Sequence, residues 1–162
     1  MKQSLFPFLM AVVLWLSACS EQPGNSNQQI GNPVDAVQLE SDVMTPEALW
    51  SFGRVGGVQV SPDHEQILFS SSFYDIGQNK GNAELFIMPL DGGEAVNITN
   101  TPGSEFNARW RPDGKKIGFI SGQSGSTQLW EMNPDGSGKK QISEVEGGIG
   151  GFEYAPNQEK IL

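Results

Sequence analysis

Three stretches of the chain repeat one pattern of strand, tight turn and strand, and their spacing constrains the fold more than any other feature. The copies are Val58 to Phe69, Ala108 to Phe119 and Phe152 to Leu162, with turn prolines at Pro62, Pro112 and Pro156, 50 and then 44 residues apart. Periods of this length belong to arrays in which each unit buries its apolar faces against its neighbours. Each copy opens with apolar residues around one polar residue: Val58-Gln59-Val60, Ala108-Arg109-Trp110 and Phe152-Glu153-Tyr154. That is the two-residue period of a half-buried strand. In the turn, proline presets φ at the second position, Asp or Asn follows, and Gly114 fills the fourth position of the middle copy. His64 takes the glycine's place in the first copy.

Second strands follow at Gln66 to Ser71, Lys116 to Ser121 and Lys160-Ile161-Leu162, the last breaking off where an aromatic matching Phe69 and Phe119 is due. Third strands, Glu84 to Met88 and Gln128 to Met132, lead into the turns Asp91-Gly92-Gly93 and Asp135-Gly136-Ser137-Gly138. Fourth strands, Ala95 to Thr99 and Lys139 to Ser143, keep the same offset of 44 residues. Phe86 and Met88 match Trp130 and Met132, while Leu85 and Leu129 point to the opposite face, so both faces of each sheet are apolar. Short four-stranded units, buried on both sides and repeated at this period, describe β-propeller blades. The expected fold is all-β: an incomplete propeller of about two and a half blades, at 55–99, 105–143 and 149–162. The six extra residues of the first repeat fall between Ser72 and Ala83, read as a loop insertion exposing Asp75, Gly77, Asn79, Lys80, Gly81 and Asn82.

The N-terminus reads differently. Residues 1–18 have a charged start at Lys2, an apolar run from Leu5 to Leu16 and small residues at Ser17 and Ala18, the layout of a secretory signal. Leu16-Ser17-Ala18-Cys19 resembles the bacterial lipobox, which makes Cys19 the expected lipidation site and the anchor to a membrane. Residues 19–43 are rich in Ser, Gln, Asn, Gly and Pro and carry few large apolar groups, so they read as a flexible tether. A short helix is expected next, with Thr45 as N-cap, Pro46 at the first helical position, Glu47 at the positive end of the dipole and Gly53 as the stop. Leu49, Trp50 and Phe52 then form an apolar plug against the first repeat, and the propeller portion spans 44–162.

Few residues offer chemistry. A net charge of -9 with no cluster of Lys or Arg argues against a nucleic-acid partner. His64 is the only histidine, and its place in a turn that asks for positive φ explains it without a catalytic or metal-binding role. Gly122-Gln123-Ser124-Gly125-Ser126 lacks the final glycine of a nucleophile elbow and lies between two strands. The glycine clusters at Gly53 to Gly57 and Gly147 to Gly151 miss the dinucleotide fingerprint and read as inter-blade turns. Asn97-Ile98-Thr99 fits a glycosylation acceptor but falls in an expected strand. No catalytic, cofactor-binding or metal-ligating residue is expected.

With these units placed, the chain resembles the N-terminal region of envelope serine peptidases of the prolyl oligopeptidase family, in the dipeptidyl peptidase 5 and acylaminoacyl peptidase branch. The resemblance is carried by Met44 to Gly53, Val60-Ser61-Pro62-Asp63, Glu84 to Met88, Trp110 to Ile117 and Gln128 to Gly136. The Pro-Asp-Gly repeat is shared with periplasmic propellers of the TolB type, and Met44 to Gly53 favours the peptidases. The resemblance implies a propeller that screens peptides, joined to a C-terminal α/β-hydrolase domain with a Ser, Asp and His triad. No triad position falls within these 162 residues. The chain is therefore expected to be the non-catalytic propeller portion of an envelope exopeptidase, with the remaining blades and the hydrolase domain as its partners. The alternative is a non-enzymatic TolB-like envelope propeller that binds protein or glycan.

Overall fold

A computed structural model describes residues 42–157 and 160–162; the signal segment, Cys19 and the tether up to Ser41 lie outside the described residues. Helix α1 (Pro46–Ser51) comes first, followed by β1 (Arg54–Val60), β2 (Gln66–Asp75), β3 (Lys80–Pro89) and β4 (Val96–Asn97). Then come β5 (Glu105–Trp110), β6 (Ile117–Ser121), β7 (Gln128–Met132) and β8 (Lys140–Gln141). Two four-stranded antiparallel sheets result, ordered β1-β2-β3-β4 and β5-β6-β7-β8. Each strand pairs with the one before it, as two repeats of one meandering unit require.

The sheets pack face to face through alternate residues. Leu68, Leu85, Ile87 and Ile98 of the first unit meet Ala108, Trp110, Ile117, Phe119 and Met132 of the second in one core. Leu68, Leu85, Ile117, Phe119 and Met132 are fully buried, and burying a side chain of this kind stabilises a fold by about 1.5–3 kcal/mol. The other face of the second sheet forms a smaller core, in which Ile120 and Leu129 pack against Phe152, with Ile149 and Tyr154 beside them. A third hairpin supplies Phe152 and Tyr154, pairing Tyr154 with Ile161 and exchanging backbone bonds between Glu153 and Leu162. Both faces of the second sheet are thus covered, as the doubly apolar strands anticipate.

The turns follow the sequence closely. His64 has φ 61 and its N–H donates to the Ser61 carbonyl at 2.9 Å; Gly114 has φ 70 and donates to the Arg111 carbonyl at 2.8 Å. The two positions are equivalent, and the histidine occupies left-handed backbone where the repeat prefers glycine.

Five details depart from the sequence reading. The six extra residues do not form a loop: they lengthen the β2–β3 hairpin, which stays paired out to Asp75 and Lys80. Asn82 is buried rather than exposed, because its side-chain amide donates to Glu84 and to the Thr101 carbonyl. Gly53 does not cap α1 in the left-handed conformation, since the chain leaves the helix through extended Phe52; Gly53 is small because a Cβ there would strike Phe73 and Ser71. Gly56 and Gly57 lie inside β1, not in a turn between blades, and mark a bulge with Gly57 at φ 61. Asn107, its counterpart in β5, has φ 52 at the same bulge. Finally, α1 is no buried plug: Leu49 is 54% and Trp50 41% exposed.

Candidate functional site

The end of the sheets where the chain crosses from β4 to β5 gathers most of the polar chemistry. Glu84 opens the apolar part of β3 and Glu105 opens β5, and both are fully buried. The Glu84 carboxylate accepts from the Thr99 hydroxyl, from the Asn82 amide at 2.8 Å and from the Thr101 N–H at 3.0 Å. Thr99 in turn accepts from the Leu85 N–H at 2.9 Å. The second unit reproduces this latch with Gln128 in place of the acid: its side-chain carbonyl accepts from Ser143 and from the Val145 N–H, and Ser143 accepts from the Leu129 N–H. Glu84 and Gln128 thus fasten equivalent crossovers in the two repeats.

Glu105 is held differently. One carboxyl oxygen accepts from the hydroxyls of Thr101 and Ser121 and from the Gln123 amide, at 2.7, 3.1 and 3.2 Å. The other oxygen is buried without a hydrogen-bond partner. Burial pushes the Glu105 carboxyl above the usual carboxylate range, and the nearby charge of Glu84 adds to the shift, against the opposing hydrogen bonds.

At the same end, α1 lies on the extended tip of β2. The Thr45 hydroxyl caps the helix by accepting from the Ala48 N–H, which fixes where Trp50 emerges. Trp50 meets Tyr74 edge-on, with centroids 5.4 Å apart, and the Arg54 guanidinium lies 4.7 Å from the Trp50 ring centre and 4.5 Å from that of Tyr74. Beside this clamp opens a groove of about 410 Å³ lined by Trp50, Tyr74, Asp75, Ile76, Asn79, Lys80 and Gly81. The sequence puts Trp50 in a plug and carries little sign of the clamp, because Tyr74 reaches Arg54 through a hairpin longer than the repeat requires. The aromatic–acid pair Tyr74-Asp75 inside the extra residues was its one available signal.

The opposite end is structural. Arg111 grips Asp113 with two bonds of 2.9 Å and approaches Glu131 at 3.7 Å, while the Tyr154 hydroxyl donates to Glu131 at 2.7 Å. Burial and the Glu131 carboxylate raise the Tyr154 phenol far above its ordinary value, so it remains a donor. Between the sheets, the Gln59 side chain crosses from β1 to β5, donating to the Ala108 carbonyl at 2.8 Å and accepting from the Trp110 N–H at 3.4 Å.

His64 is exposed in its turn, and Ser124 is exposed between β6 and β7. The Asn97 side chain accepts from the backbone N–H groups of Thr99 and Asn100, a local turn bond. Among the described residues no group of three or more His, Cys, Asp and Glu could hold a metal ion. Cys19 is outside the described residues.

Comparison with known proteins places the geometry in context. The description "TolB beta propeller domain" matches residues 45–162. Dipeptidyl-peptidase 5 of Porphyromonas endodontalis is 31% identical over 164 aligned residues, covering all of this chain and 23% of that protein. TolB from Acinetobacter baumannii superposes with a TM-score of 0.56 and 27% identity, over 65% of this chain and 25% of TolB. An acylaminoacyl peptidase solved with Z-Gly-Gly-Phe-chloromethyl ketone gives a TM-score of 0.56 at 19% identity, over 68% of this chain and 17% of the peptidase, a likeness of fold. The chain spans less than a quarter of the length of the curated dipeptidyl-peptidases that it matches.

Proposed function

Residues 45–162 make this chain a member of the TolB β-propeller domain family, and from that premise we propose that it is the propeller portion of an envelope serine exopeptidase of the dipeptidyl or acylaminoacyl type. The observation that carries this reading is the similarity to dipeptidyl-peptidase 5, which runs the whole length of the chain at 31% identity, whereas the likeness to TolB covers 65% of it. The blades act as a screen: stacked sheets with buried seams form a wall that admits short peptides and turns away folded protein. Bond cleavage is assigned to a C-terminal α/β-hydrolase domain, a reading supported by the chain's matching less than a quarter of the length of the dipeptidyl-peptidases. The buried Glu84 and Glu105 serve the seam.

The location that fits is the bacterial envelope, supported by TolB relatives and by the signal-like residues 1–18, with a lipid on Cys19 as the anchor. Metabolic labelling with a radioactive fatty acid tests the anchor: label should enter the wild-type protein and not the Cys19→Ala variant. The activity is tested on the longer gene product that carries this chain. It should release dipeptides from chromogenic dipeptidyl arylamides with free amino termini, and the 162-residue chain alone should release none. A longer product that cleaves no such substrate removes the peptidase reading.

A second reading is kept alive by the 27% identity and the shared fold with Acinetobacter TolB: an envelope propeller without catalysis that binds protein or glycan. Further Pro-Asp-Gly units with no hydrolase sequence after them would decide for it.

A further inference from the structure

The two sheets differ most in their central hairpins. The β2–β3 hairpin of the first stays paired out to Asp75 and Lys80, whereas the equivalent hairpin of the second closes at Ser121 and Gln128. An insertion confined to one repeat builds something that the packing of repeats does not need, and such insertions gather on the binding face of repeat proteins. Every residue lining the groove of about 410 Å³ except Trp50 lies in that longer hairpin. Tyr74 pairs across it with Gly81, where a Cβ would come within 3.0 Å of the Tyr74 ring, so the ring is seated on bare backbone. Trp50 and Tyr74 stand at 70° to each other, both 41% exposed. Arg54 is not among the lining residues; it lies against both rings from outside the groove and fixes their planes.

The polar groups of the groove carry both signs of charge. Asp75 stays a carboxylate, because hydrogen bonds from the Gln78 N–H at 2.9 Å and the Gln78 amide at 2.7 Å hold its carboxyl below the usual range. Lys80 brings an ammonium, and Asn79 a side-chain amide without a hydrogen-bond partner among the described residues. An anionic ligand would meet Asp75, and a cationic one would meet Lys80 with Arg54 behind the rings. A neutral ligand rich in hydroxyls can donate to the acid and accept from the base. We propose that this groove binds a neutral oligosaccharide of glucose-type rings, one of which packs on Trp50 and Tyr74. Such a ring holds its hydroxyls equatorially and leaves apolar C–H groups on both faces, so it offers a flat apolar face to the aromatic pair and a polar rim to Asp75, Asn79 and Lys80. Ile76, 57% exposed, extends the apolar wall. The volume suits one or two sugar rings and no folded chain. The inference rests on the groove alone; neither reading of function above needs it, so its failure would leave both standing.

The test is a saturation-transfer NMR titration of the full chain with cellotriose, chitotriose and sorbitol, the last having the hydroxyls of a sugar and no ring. At least one trisaccharide should bind saturably, with transfer strongest to its ring C–H protons, and sorbitol should bind about tenfold more weakly or not at all. Trp50→Ala should weaken the trisaccharide about tenfold, Asp75→Asn severalfold, and Trp50→Phe, which keeps a ring, less than Trp50→Ala. Helix α1 buries no residue, so Trp50→Ala should leave the sheets folded, as unchanged far-ultraviolet circular dichroism would show. Absence of saturable binding of both trisaccharides by the wild-type chain overturns the proposal without any variant. Sorbitol binding as tightly as the trisaccharides overturns the stacked ring. Unchanged affinity in a folded Trp50→Ala puts the sugar elsewhere and overturns the site.

Discussion

Glu105 enters the seam with one oxygen accepting three hydrogen bonds and the other accepting none. Burial, helped by the charge of Glu84, outweighs those bonds, so its proton is held more tightly in the folded chain than in the unfolded one, whose reference value is 4.5. The stabilisation due to that proton is complete below the unfolded value and is lost as pH rises through the higher folded value. Thermal melts between pH 4 and 8 should show this decline, and Glu105→Gln, which mimics the neutral acid, should flatten it; an unchanged slope would count against the assignment. His64 gives a second prediction. Its left-handed φ of 61 strains an L-residue, so His64→Gly should raise stability by about 0.5–1 kcal/mol in urea unfolding, the relief being offset in part by glycine's entropy. His64→Val should lower it. The histidine was legible because a turn's backbone demand is local, readable from Pro62, Asp63 and the matching Gly114. Glu84 was legible only in retrospect, by setting it against Gln128 at the same place in the next repeat.

The strands were legible where their apolar period is carried by both faces, as at Ile117 to Ile120, all buried. What escaped notice depends on contacts between units. The Gln59 amide looks like an ordinary polar residue of an alternating strand, yet it holds two backbone groups of β5. Gln59→Ala should cost about 1–2 kcal/mol, two bonds at roughly 1 kcal/mol each tempered by refilling of the gap, measured by chemical denaturation. Gly118 answers to the third hairpin: a Cβ there would collide with the Tyr154 hydroxyl and the Phe152 ring. In Gly118→Ala, hydrogen exchange should speed up across 152–157 while β2 and β3 keep their protection. Uniform loosening of both sheets would show that the third hairpin is not the element displaced. The extra residues between Ser72 and Ala83 read as a loop for a related reason, since nothing in their composition tells a longer paired hairpin from an unpaired loop.

For the molecule as a whole, the two sheets provide an internal comparison. Ala108 and Trp110 are buried against the first sheet, while their repeat equivalents Val58 and Val60 are 60% and 46% exposed. A face built to be covered and left open is a site of association. Residues 44–162 produced alone should self-associate through it, and Val60→Glu should shift the protein towards a monomer in light scattering. A wild-type monomer at high concentration would contradict this. The Gln59 bridge bears on a different hazard. An open strand edge invites any extended chain to zip onto it, which is how sheets recruit foreign strands and how they aggregate. By spending its amide on the Ala108 carbonyl and the Trp110 N–H, Gln59 removes two rungs from the edge that β6 leaves free. An extended chain laid against that edge would have to form its ladder without those two groups, the register at the middle of β5 being already taken.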